Sequence, residues 1–170
     1  CMNTIKIFLA SSCELAYERM IIGDKIRQAD DEWRAKGVRL QLMVWEDYRP
    51  EFLGVRTQTE YDEYLVNESQ IVIGLFKNRC GKYTQEEIVN AIKASAGDKG
   101  KLPVAIYLEK GSLLLNNSQK ISNALANFGV FTIEYGTMND VKTNLLIYRK
   151  RAYLYCIRRK SRYSTVGYPL

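Results

Sequence analysis

Six consecutive apolar residues, Ile71-Val-Ile-Gly-Leu-Phe76, constrain this chain more than any other stretch. A run of that length without a polar side chain fits a strand buried inside a sheet. A turn with Gly81 follows, and then a helix that opens with paired carboxylates, Glu86 and Glu87. In open α/β sheets, ligands bind where strands end and helices begin. Residues 70–92 therefore put an acid where such folds do their chemistry.

The same strand–helix alternation runs through the chain. Ile5–Ala10 reads as a short buried strand. A helix started by Ser11 and Ser12 follows, with Ser11 and Glu14 in the form of a capping box. Its apolar positions, Leu15, Ile22, Ile26, Ala29 and Trp33, fit a 3.6-residue period, and Lys36-Gly37 ends it. Val38–Trp45 is a second strand, followed by a polar loop in which Pro50 blocks helix continuation. Thr57–Glu68 reads as a helix with Tyr61, Tyr64 and Leu65 inward. After the third strand, a helix over Thr84–Ala96 turns Ile88, Ala91 and Ile92 to the core. Residues 97–100 form a turn, and Leu102–Leu108 is the fourth strand. A helix over Leu114–Phe128 closes at Gly129. Val130–Tyr135 is the fifth strand, and a last helix from Asn139 carries Val141, Leu145, Tyr148 and Ala152 inward. Five strands alternating with five helices predict a three-layer α/β sandwich with a parallel sheet and right-handed crossovers. The flavodoxin-like order 2-1-3-4-5 is the simplest solution, with its switch point between strands 1 and 3. The loops at 8–13 and 76–87 then meet.

Length and composition narrow the chemistry. The chain has 170 residues, which fits one domain over 1–160, with 161–170 as a flexible basic tail or a linker to a further domain. It contains no histidine, and its four cysteines, Cys1, Cys13, Cys80 and Cys156, form no CxxC pair. A zinc site and an imidazole base are thereby disfavoured, and no metal is expected. The net charge of +6 is uneven: Arg149, Lys150, Arg151, Arg158, Arg159, Lys160 and Arg162 crowd one end, and the rest is near neutral. A solvated terminal helix explains that end better than a nucleic-acid surface does. No apolar run approaches the roughly 20 residues of a membrane span, and no signal peptide is evident. The expected location is the cytoplasm, with reduced thiols.

Several stretches can carry chemistry, each with a structural alternative. A glycosidic bond breaks through a cation-like sugar, which a carboxylate can stabilise or attack. Glu87, at the start of a helix above the third strand, suits that role. Equally, Thr84-Gln-Glu-Glu87 is a capping box. Glu86 competes with it, or is an exposed first-turn acid favoured by the helix dipole. Ser11 and Ser12 offer hydroxyls and helix-start amides to a phosphate or ribose, or simply cap the helix. The loop lacks the GxGxxG and P-loop patterns, so a dehydrogenase or an NTPase is disfavoured. Trp45 could stack on a base while Glu46 and Asp47 hold ribose hydroxyls, or the aromatic packs at the edge and the acids are solvated. Tyr83 lies one turn before Glu87, in the cleft or on the helix surface. Arg56 and Arg79 meet a phosphate or are solvated.

Taken together, Ile5-Lys-Ile-Phe-Leu-Ala-Ser-Ser12, Glu14-Leu15, Glu18-Arg19, Trp45-Glu46-Asp47 and Gly81-Lys-Tyr-Thr-Gln-Glu-Glu-Ile88 resemble a bacterial TIR-like group. The resemblance covers about residues 4–135. It implies a flavodoxin-like fold and cleavage of NAD+ at the nicotinamide–ribose bond, a reaction that in bacteria often serves defence against phage. The family's catalytic glutamate begins the helix after the third strand and directly precedes an apolar run. Glu87, followed by Ile88-Val89, matches that position, and Glu86 does not. The resemblance further implies Ser11, Ser12, Trp45, Glu46 and Tyr83 around the nucleotide. It implies NAD+ as substrate rather than cofactor, and a homo-oligomer as the active form. A non-enzymatic TIR-type interaction module is the second reading. Nucleoside 2-deoxyribosyltransferases, similar in architecture and in using a carboxylate, give the third.

Overall fold

In a computed structural model, the described residues are 3–44, 68–97, 104–128, 130 and 132–142. They form β1 (Asn3–Ser11), a 3-10 turn (Cys13–Leu15), α1 (Ala16–Arg34), β2 (Val38–Met43) and β3 (Ile71–Phe76). Then come α2 (Lys82–Gly97), β4 (Val104–Glu109), α3 (Leu114–Asn117), α4 (Gln119–Phe128) and β5 (Thr132–Tyr135). All pairings are parallel, and the five strands lie in the order β2-β1-β3-β4-β5. This is the flavodoxin-like topology that the alternation predicts.

Period-2 alternation splits the core into two layers. On one face Ile5, Ile7, Leu9, Ile71, Ile73, Leu75, Ala105 and Tyr107 pack against α1 through Ile22, Ile26, Ala29 and Trp33. Val141, in a helical turn at 138–142, joins that layer. On the other face Phe8, Ala10, Val72, Phe76, Ile106 and Leu108 meet Ile88, Ala91 and Ile92 of α2 and Ile121, Ala124 and Leu125 of α4. The periodic positions expected to face inward on α1 and α2 do so.

Several boundaries differ from expectation for identifiable reasons. The capping box of Ser11 with Glu14 does not form. Ser12 is the residue before the 3-10 turn, its hydroxyl makes no capping bond, and α1 begins only at Ala16. The helix after β3 begins at Lys82, directly after Gly81, with the Gln85 amide donating to the Gly81 carbonyl at 2.9 Å. Thr84 is thus inside the helix, and Thr84 with Glu87 is not a capping box. The expected helix over 114–128 breaks at Ser118 (φ −124°, ψ 86°), where Asn116-Asn117-Ser118 favours local side-chain bonding over a helix interior. Val130 lies outside β5. Of the helix expected at Thr57–Glu68, only Glu68 lies within the described residues, and it is helical. Lys36-Gly37 ends α1 as expected, with Gly37 at φ 74°.

One close approach sets where α2 sits. A Cβ added to Gly74, in the middle of β3, would stand 2.8 Å from Ile106 Cδ1, 2.8 Å from Phe76 Cε2 and 3.0 Å from Ile88 Cδ1. The missing side chain lets Ile88, the neighbour of Glu87, seat directly on the central strand. Burying that side chain contributes about 1.5–3 kcal/mol.

Candidate active site at the end of the central strand

The switch point lies where it was expected. β1 and β3 run side by side to their C-terminal ends, with Ser11 opposite Leu75. Chain direction diverges there, since β1 leads to α1 on one face and β3 leads to α2 on the other.

On the α2 face, Glu87 is 8% exposed. It sits in the second turn of α2, behind a helix start with no acid in its first turn. Cys80, at the end of the loop between β3 and α2, is half-buried against the same apolar layer. Its thiol is pushed up to about 12, first by burial and then by the negative charge of Glu87. The thiol donates weakly to the Gly81 carbonyl at 3.5 Å. Glu86 beside it is half-buried.

On the α1 face, Ser11 and Ser12 are 2% and 6% exposed. Arg19, one turn into α1, reaches back with a single guanidinium nitrogen. It donates to Ser11 Oγ at 3.0 Å and to the Ser12 carbonyl at 2.9 Å. Ser12 Oγ donates to Glu14 Oε1 at 3.3 Å. The β1–α1 loop is therefore held in place by its own helix.

Beside it, Lys77, the first residue after β3, donates to Glu18 Oε1 at 2.8 Å and lies 3.8 Å from Glu109 Oε1. Burial alone raises the Glu18 carboxyl, but the Lys77 ammonium and a backbone amide outweigh it and hold it below its ordinary value. The bond to Glu18 raises the Lys77 ammonium, with added support from the charges of Glu109 and Glu14. The Tyr135 hydroxyl donates to the Phe76 carbonyl at 3.3 Å. Burial, then the charges of Glu109 and Glu18, push that phenol up to about 12.

Of the residues expected around a nucleotide, Ser11 and Ser12 lie at the C-terminal end of β1 on the α1 side, and Glu87 lies on the α2 side, in the helix that follows β3. Tyr83 is the second residue of α2, and its side chain lies outside the described part. Trp45, Glu46 and Arg56 fall outside the described residues, and Arg79 is exposed in the β3–α2 loop. Sequence reasoning gave no role to Cys80, Lys77 or Arg19. A cation directly after a fully apolar strand, at Lys77, was the available signal. Chemically, a carboxylate sheltered from water at this edge can favour positive charge on a sugar placed beside it. Among the described residues, no helix is long and apolar enough to cross a membrane.

No protein-family model and no curated protein matches the chain. Among solved structures, it is similar to the CMP N-glycosidase BcmB of Clostridium botulinum. The two are 16% identical over 84% of this chain and 98% of that one, with a TM-score of 0.50. More loosely similar are the TIR domains of the activated Roq1 resistosome (14% identity, 87% of this chain and 81% of that one, TM-score 0.44). An oxidoreductase from Corynebacterium diphtheriae is likewise similar (16%, 78% and 78%, TM-score 0.42). The chain thus shares the flavodoxin-like α/β fold of a CMP N-glycosidase.

Proposed function

We propose that this protein cleaves the N-glycosidic bond of a nucleotide, with NAD+ as substrate and nicotinamide as leaving group. The observation that carries the reading is the position of Glu87: buried, in the second turn of α2, at the C-terminal end of the central strand. The capping-box alternative for this residue is gone, because α2 begins at Lys82. Glu87 stabilises or traps the ribosyl cation as the base departs. Ser11, Ser12 and the loop they hold face the phosphate-bearing part. Tyr83, Trp45 and Glu46 complete the cleft, and the protein works as a homo-oligomer.

The reading is supported by the resemblance of Gly81–Ile88 to the TIR-like catalytic stretch. A shared fold with an enzyme that takes CMP is compatible with it and puts CMP second among substrates. The test is mass spectrometry of products after incubating the chain at high concentration with NAD+, with CMP, or with a deoxynucleoside plus a free base. Nicotinamide release by the parent and not by Glu87→Gln is expected. Cytosine from CMP, or base exchange on the deoxynucleoside, would move the substrate assignment. Full activity in Glu87→Gln would end the assignment of that residue.

A further inference from the structure

The loop that leads from β3 to α2 is fastened at two consecutive residues by groups from other parts of the fold. The Phe76 carbonyl, just before it, accepts from Tyr135 at the end of β5. The Lys77 ammonium is held by Glu18 from α1, with Glu109 of β4 close by. The Lys77 carbonyl accepts from the Ser112 hydroxyl, in the turn after β4. Asn78 Oδ1 accepts from the Leu113 amide at 3.3 Å. Three residues after this fastening comes Gly81, and α2 starts at the next residue.

Lys77 is the only element of this fastening that carries charge from the loop into the fold. The carboxylates around it, Glu18, Glu109 and Glu14, repel one another once the ammonium is removed. The Glu18 side chain is only 12% exposed, so water cannot fully replace the lost partner. A neutral residue at 77 would therefore drive α1 and β4 away from the start of the loop.

We propose that Lys77 is a positioning residue: its pairing with Glu18 and Glu109 fixes the 77–81 loop, and through it the start of α2 and the aim of Glu87. Lys77 does not touch substrate in this scheme. The proposal deepens the reading that Glu87 carries the chemistry, and rests on it for its catalytic consequence. Its mechanical part stands on the loop alone.

The test compares the full chain with Lys77→Met, Lys77→Arg and Glu87→Gln. Cys80 serves as an internal reporter, since its half-buried thiol reacts faster when the loop opens. In Lys77→Met, alkylation of Cys80 and hydrogen exchange at the amides of 78–81 should quicken on the order of tenfold, with β1 and α4 keeping parental rates. Nicotinamide release should lose on the order of tenfold in kcat, with KM within about twofold of the parent. Lys77→Arg should restore both readouts. Parental labelling and exchange in Lys77→Met would overturn the proposal, as would acceleration spread evenly over the sheet. A raised KM with intact kcat would put Lys77 on the substrate and overturn it too. If the parent releases no nicotinamide, the substrate assignment fails, and if Glu87→Gln remains active, the chemistry assigned to Glu87 fails. The labelling and exchange results still decide the role of Lys77.

Discussion

Glu18 and Glu87 are both sheltered carboxylates at the C-terminal end of the same parallel sheet, one on each face. Glu18 is fixed by the cation of Lys77, the first residue after β3, at 2.8 Å. Glu87 is carried into place by its helix: Ile88 beside it seats on the bare backbone of Gly74. One acid is thus held by an ion pair that joins α1 to the loop after β3, and the other rides on a helix that packs on β3 and starts where that loop ends. The difference teaches how a fold can put two like charges at one edge and give them different work. An ion pair ties structure together and lowers the carboxyl's proton affinity. Apolar packing of a helix sets the place of the carboxylate that the helix carries.

The sharpest way to break this comparison is to neutralise each acid. Glu87→Gln should reduce nicotinamide release about a thousandfold while thermal stability stays near the parent's, read by turnover assay and calorimetry. Loss of stability without loss of turnover would reverse the roles. Next in size is Gly74→Ala. The added methyl meets Ile106, Phe76 and Ile88 at 3.0 Å or less, so α2 must shift. Urea unfolding should show a loss of about 1–3 kcal/mol.

Glu18→Gln comes third, with about 1–2 kcal/mol lost, less than for a fully buried pair because Lys77 is partly in water. This loss depends on pH. Glu18 titrates below its ordinary value of 4.5 when folded, so its contribution is present above that value and disappears as pH falls through the lowered one. The gap between parent and variant in urea should therefore be full at pH 7 and narrow below about pH 4.5. A gap independent of pH would mean that the pairing contributes nothing. Smallest is Tyr135→Phe, which removes the bond to the Phe76 carbonyl and should cost about 0.5–1.5 kcal/mol at neutral pH. The phenol's value is raised, so in the parent its contribution is present at pH 7. It fades as pH rises from about 10 towards about 12.

The architecture was legible because its signal is local and repeated. Ile71–Phe76 is apolar throughout, and the inward positions of α1 and α2 follow the helical period. What local pattern could not settle was the start of each helix. A Thr before two glutamates looks like a cap, yet Gly81 serves at that position too, and the helix opened two residues earlier than the pattern suggested. The break at Ser118 had its signal in two asparagines and a serine, which a count of apolar positions passes over. The site was legible only in part. Glu87, Ser11 and Ser12 belong to elements whose order fixes the end of the sheet at which they lie. Arg19 to Ser11 and Lys77 to Glu18 are pairings between elements. Their partners become known only once α1 lies across β1 and β3. Cys80 looked like one of four scattered thiols until the sheet brought it beside Glu87.

Gly74 has one more consequence. At position 74 the strand offers no side chain, so Ile88 of the helix that bears residue 87 rests on bare backbone, and the carboxylate inherits the stiffness of the middle of the sheet. Its direction is trimmed from below, by the bulk tolerated at positions 74, 88 and 106. An altered preference for substrate could then arise at these apolar positions, none of which itself touches the sugar.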